Sequence, residues 1–195
     1  MKIGVDIDEP LYPWLETSHQ ISQEAGITNG RPLTTWYPWD SYGCTVEEWT
    51  AVIDAATVTG ELYDALPTFA GHAAVVELHD AGHEIHLVTA RGCGWQHSRL
   101  VRYLTERWLR EWQIPHHSLT FAKNKAPVAQ RLGLEAFVDD RPKNYDELTA
   151  AGVDTYLLDS AHNQDPDCTR RRVLSMYEFA DRIRRDERSA AVVAA

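Results

Sequence analysis

The chain has 195 residues, 44% hydrophobic and 25% charged, with a formal net charge of −10. That composition fits one globular core with a small appended subdomain. The acidic balance excludes an extended nucleic-acid partner, which would select a basic surface. No apolar run approaches the roughly 20 residues that a membrane helix needs. Asp6 and Asp8 stand where a signal peptide would have its apolar centre, so a cytoplasmic location is expected. Three scattered cysteines, Cys44, Cys93 and Cys168, form no C-x-x-C pair. They fit a reducing compartment better than a disulfide frame or a structural zinc site.

In chain order, the run "KIGVD" predicts a first buried strand that ends on Asp6 and Asp8, followed at once by Glu9 and Pro10. The next strand pattern starts only at residue 84, far beyond what one crossover helix requires. Between them lie the helical "PWLETSHQISQEAG", an aromatic loop "TTWYPWDSYG" carrying Trp36, Tyr37, Trp39 and Tyr42, and "TVEEW", whose Thr45 and Glu48 spell a capping box. Residues 12–69 are therefore expected to form a small helical cap inserted into a core of residues 1–11 and 70–188.

Downstream, "AGHAAVVELHDAG" predicts a helix closed by Gly82. The strand "EIHLVT" follows, then a helix with Val101, Leu104, Trp108 and Trp112 on one face. The strands "SLTFA", "AFVD" and "TYLLD" complete the pattern. The last helix, "SMYEFADRIRR", carries a second capping box, Ser175 with Glu178, and residues 189–195 read as a frayed end. Strands alternating with helices predict an α/β fold: a parallel five-stranded sheet flanked by helices.

In such a sheet, ligands bind beyond the carboxyl ends of the strands where strand order reverses. The residues delivered there are Asp6 and Asp8, then Thr89 and Arg91, then Lys123 and Lys125, then Asp139, Asp140 and Arg141, then Asp159. Two facing acid pairs repel unless a cation sits between them. Oxygen ligands with open positions suit Mg²⁺. A carboxylate neutralised in this way can attack phosphorus, and a second acid can move the protons. A hydroxyl and a lysine can hold the transferring phosphoryl group.

"VDID", "LVTAR", a lysine of "AKNKAP" and "FVDDR" resemble the four motifs of the haloacid dehalogenase superfamily of phosphohydrolases, in order and across nearly the whole chain. "LPTFAGHAAVVELHDAGHEIHLVTAR", "FVDDRPKNYDEL" and "YLLDSAHN", the last close to Asn163, are similar to its 5′-nucleotidase (deoxyribonucleotidase) branch. The resemblance implies a Rossmann-like fold with a small helical cap after the first strand. It implies Asp6 as nucleophile and Asp8 as general acid/base. Mg²⁺ would be bound by Asp6, the Asp8 carbonyl and Asp139, with Asp140 ligating through water. Thr89 would bind the phosphoryl group. Lys125, which directly precedes a helix, is preferred to Lys123 as the phosphate-binding lysine, and Arg91 would touch substrate or steady its loop. Trp36, Tyr37, Trp39 and Tyr42 are candidates for stacking on a nucleobase, the alternative being cap core.

One departure stands out. Glu9 and Pro10 occupy positions where the family has glycine and then valine or threonine. Glu9 is read either as a solvated turn acid or as an electrostatic element pointing into the cap. The expected function is a Mg²⁺-dependent phosphomonoesterase for a small phosphorylated substrate, a nucleoside monophosphate first. The alternatives are a phosphatase for another metabolite, such as a sugar phosphate, and a catalytically silent binding protein that keeps the fold. A signalling receiver domain is rejected, because there Thr and Lys follow the phospho-accepting acid, whereas Thr89 and Lys125 precede Asp139. Monomer and homodimer are both left open.

Overall fold

The computed structural model describes residues 1–165 and 169–193; Cys168 lies outside them. The strands are β1 (Lys2–Val5), β2 (Glu84–Thr89), β3 (Ser118–Phe121), β4 (Ala136–Asp139), β5 (Asp154–Leu158) and β6 (Arg172–Val173). They form one sheet in the order β3-β2-β1-β4-β5-β6, parallel throughout. The five expected strands are present. The sixth has two residues, too few to carry an alternation, which is why the sequence pattern stops at five.

The helices are α1 (Trp14–Glu24), α2 (Pro38–Tyr42), α3 (Val46–Thr59), α4 (Phe69–Asp80), α5 (Ser98–Glu111), α6 (Ala126–Leu132), α7 (Pro142–Ala150) and α8 (Met176–Val193). On one sheet face Ala74, Val75 and Leu78 of α4 and Phe179 and Ile183 of α8 bury Ile3, Val5, Ile85 and Leu87. On the other, Val128 and Ala129 of α6 and Leu148 of α7 bury Val88 and Phe137. Both faces are covered, so the strands read as nearly unbroken apolar runs. Gly4 in β1 makes room for the second layer: a Cβ there would collide with the Phe137 ring on the neighbouring strand.

Helices α1 to α3 and a 3-10 turn at Glu61–Tyr63 fill the long segment between β1 and α4. Their Ile21, Ile53, Ala56, Leu62 and Tyr63 pack on Val101 and Leu104 of α5. The capping box at α3 is formed: Thr45 Oγ1 accepts from the Glu48 N–H and Glu48 Oε2 from the Thr45 N–H. One expectation needs correction. Trp112 lies past the last turn of α5 and is partly exposed rather than on the buried stripe, its carbonyl meeting His72 Nε2 at 3.1 Å. The final helix runs to Val193. Among the described residues no helix is long and apolar enough to cross a membrane.

Candidate active site

The strand order reverses between β1 and β4, and the site forms there, beyond their carboxyl ends. β1 leads into Asp6, whose N–H donates to the Val138 carbonyl at 3.1 Å. The chain then folds back, the N–H groups of Leu11 and Tyr12 donating to the Ile7 carbonyl at 3.0 and 2.8 Å. This turn puts Glu9 at φ 70°, a region that glycine enters freely and other residues rarely. The strain is offset locally. The Glu9 N–H donates to the Tyr12 carbonyl at 2.8 Å, and Glu9 Oε1 accepts from the Leu15 N–H at 2.7 Å. The N-cap of α1 is Pro13, which offers no capping side chain, so Glu9 takes an orphan amide of that helix from outside it.

Lys125 is the N-cap of α6 and is buried. Its Nζ lies 2.7 Å from Asp6 Oδ2 and 2.7 Å from Asp139 Oδ2. Lys123 is exposed. Burial opposes the charge on Lys125, but Asp139 and Asp6 outweigh it and hold its ammonium above the usual lysine range. Asp139 is fully buried and accepts from the Arg141 N–H at 2.9 Å and from Asn144 Nδ2 at 3.0 and 3.1 Å. Burial pushes the Asp6 carboxyl well up despite the opposing pull of Lys125, and Asp139 and Asp140 push the same way. Burial, then Asp139, also raises Asp140. Asp140 Oδ2 sits 3.0 Å from His162 Nε2, and the Asn163 side chain donates to the Asp140 carbonyl at 2.6 Å. Burial holds the His162 imidazole below the usual range, Glu9 opposing.

Asp6, Asp139 and Asp140 each place a carboxylate oxygen within 4.8 Å of the others. A buried oxygen-only set of this kind fits a hard divalent cation such as Mg²⁺, and such a cation would relieve the electrostatic cost that raises Asp6 and Asp140. The Asp8 side chain stands outside this group. Its Oδ1 accepts from Arg91 Nε at 2.8 Å and Nη2 at 2.6 Å. Arg91 is buried beneath Asp8, its guanidinium 4.4 Å from the Tyr12 ring centroid and 5.1 Å from that of Tyr63. The geometry assigns Arg91 to holding Asp8, not to the cavity. Thr89 is fully buried at the end of β2, its Oγ1 accepting from the Arg91 N–H at 3.2 Å, and the neighbouring Ala90 faces the cavity.

A cavity of about 320 Å³ opens over these groups. Asp6, Asp8, Glu9, Lys125 and Asp140 line it together with Trp36, Tyr37 and Trp39. Tyr42 is not there: it is buried inside the inserted segment, its hydroxyl 2.8 Å from His19 Nδ1. Trp14, Trp49 and Trp95 also line the cavity and escaped the sequence reading, as did Asn144 and His162. "PKNYDEL" and "SAHN" were visible as motifs but gave no side-chain direction. The aromatic loop is fastened to the core by stacking. Trp36 meets His162 edge-on with centroids 4.6 Å apart, and Arg141 lies 4.7 Å over Trp36.

No family model matches the chain. A Bacillus cereus protein named "Putative nucleotidase" is 26% identical over 95% of this chain and its own full length. Among solved structures, a haloacid dehalogenase-like hydrolase from Streptococcus pneumoniae aligns over 93% of this chain and 97% of its own, with TM-score 0.59 and 12% identity. A phosphatase of the same superfamily from Thermococcus onnurineus covers 94% of this chain and 98% of its own, with TM-score 0.51 and 15% identity.

Proposed function

We propose that this chain, a haloacid dehalogenase-type phosphohydrolase resembling nucleotidases, is a Mg²⁺-dependent phosphomonoesterase that works through Asp6 and acts on nucleoside monophosphates. The observation that carries the reading is Lys125, closed between Asp6 and Asp139 in a cavity that is also lined by aromatic rings.

Asp6 Oδ2 is the attacking oxygen. It bonds to phosphorus as the bond to the leaving oxygen breaks, and Asp8 supplies the proton that the leaving oxygen takes. Arg91 fixes Asp8 through Oδ1 and leaves Oδ2 for that proton. Asp8 then accepts a proton from water, whose oxygen displaces Asp6 from phosphorus and releases phosphate. Lys125 holds Asp6 in place and offsets charge on the transferring group, and Thr89 binds the phosphoryl group. A cation held by Asp6, Asp139 and Asp140, with the Asp8 carbonyl, would neutralise phosphoryl oxygens when bound. Residues 12–69 act as a cap that closes the cavity, and Trp36, Tyr37 and Trp39 offer the base a stacking wall.

Phosphate release from a panel of monophosphates, with Mg²⁺ and with chelator, tests this reading. Nucleoside 5′-monophosphates should exceed ribose 5-phosphate in kcat/KM by about tenfold or more, the worth of a stacked base, and chelator should abolish turnover. Equal turnover of ribose 5-phosphate would remove the nucleotide assignment. No release from any monophosphate, p-nitrophenyl phosphate included, would remove the hydrolase.

A further inference from the structure

We infer that Glu9 is a specificity residue: its carboxylate, standing in the cavity beside Asp8, makes this site reject phosphomonoesters whose leaving group carries a second anionic group and favours uncharged leaving groups. The inference rests on the phosphomonoesterase reading of the same cavity and goes beyond it.

The placement follows from the backbone. Glu9 directly follows Asp8, and its Oε1 is tied to the Leu15 amide in the first turn of α1. Trp14 and Leu15 of that turn line the cavity, as Asp8 and Glu9 do. Asp8 serves the leaving oxygen in the proposed reaction, and Glu9, the next residue, lines the same cavity, so a leaving group held there lies beside Glu9. A solvated turn acid would face outward. Glu9 instead is half-buried and lines the cavity, at a backbone angle that costs free energy for most residues other than glycine.

The charges around it do not cancel it. Asp6, Asp8 and Asp140 face the cavity with Glu9. Lys125 is engaged by Asp6 and Asp139, and Arg91 by Asp8. His162 Nε2 faces Asp140 Oδ2 at 3.0 Å. Arg141 is the remaining cation lining the cavity among the described residues, and its guanidinium is taken up by the Trp36 ring, 4.7 Å from the centroid. A phosphoryl group with its cation satisfies the acidic floor, but a second anion on the leaving group meets Glu9.

The test compares a nucleoside 5′-monophosphate with the corresponding nucleoside 3′,5′-bisphosphate. Glu9→Gln keeps an acceptor for Leu15 and removes the charge. Glu9→Gly removes the side chain and suits the φ of 70°. The parent should prefer the monophosphate, and both variants should lose about tenfold of that preference in kcat/KM, mainly through a lower KM for the bisphosphate. A preference unchanged within about twofold in both variants, or a parent that takes both substrates equally, overturns the inference. Binding of the two nucleotides to the Asp6→Asn chain, with and without Glu9→Gln, reads the same selectivity without turnover. Silence of every substrate in the kinetic assay with selectivity intact in binding would remove the hydrolase and leave the Glu9 assignment standing. Equal affinities would remove the Glu9 assignment alone.

Discussion

Asp6→Asn should lower kcat for phosphate release on the order of 10⁴-fold or more while the protein stays folded. Asparagine has the size of aspartate, and its amide oxygen can still accept from the Ile7 N–H, which Asp6 Oδ1 does at 2.8 Å. What it loses is the second oxygen, the one 2.7 Å from Lys125. An amide nitrogen there cannot attack phosphorus and presents donors to an ammonium. Steady-state phosphate release together with thermal melting separates the two effects. Turnover within tenfold of the parent would mean that Asp6 is not the attacking group.

Lys125→Ala should destabilise the fold by about 3–5 kcal/mol, because it leaves two buried carboxylates without their cation. Burial already raises Asp6 and Lys125 is the group that opposes it, so the variant's Asp6 is raised further. The sign then follows by linkage. A carboxyl raised in the folded state binds its proton more tightly there than when unfolded. Stability therefore falls as pH rises through and above the ordinary carboxylate range. The deficit should be smallest in mild acid, grow toward neutral pH, and shrink on adding Mg²⁺, which can replace the missing charge. Urea unfolding across that pH range, with and without Mg²⁺, is the measurement. A variant as stable as the parent at neutral pH would show that Lys125 does not carry the charge balance of the site.

The strands were legible because both faces of the sheet are buried, which makes each strand a short apolar run with an acid, hydroxyl or lysine at its exit. Strand order was not written in those runs. It placed Asp6 beside Asp139 and made Lys125, rather than the exposed Lys123, the bridge between them. In the sequence Arg91 reads as touching substrate or steadying its loop. Its direction is set by Tyr12 and Tyr63, whose rings receive the guanidinium beneath Asp8. Tyr42 looked equivalent to Trp36 and Trp39, but the turn of α2 sends it inward to His19. Trp14, Trp49 and Trp95 reach the cavity from three separate segments, and only the tertiary fold brings them together. Glu9 was visible as a departure from glycine. The positive φ that glycine would have served is present, and the side chain that replaced it caps α1.

Trapping the transferred group tests whether phosphoryl transfer passes through Asp6. The protein is mixed with a nucleoside monophosphate labelled in phosphorus and Mg²⁺, quenched in acid within a single turnover, and digested for peptide mapping. Label on the peptide containing "VDIDEP", stable in acid, released by hydroxylamine and absent from Asp6→Asn, is the expected result. Turnover with no protein-bound label, or label on a histidine or on a peptide without Asp6, would contradict it.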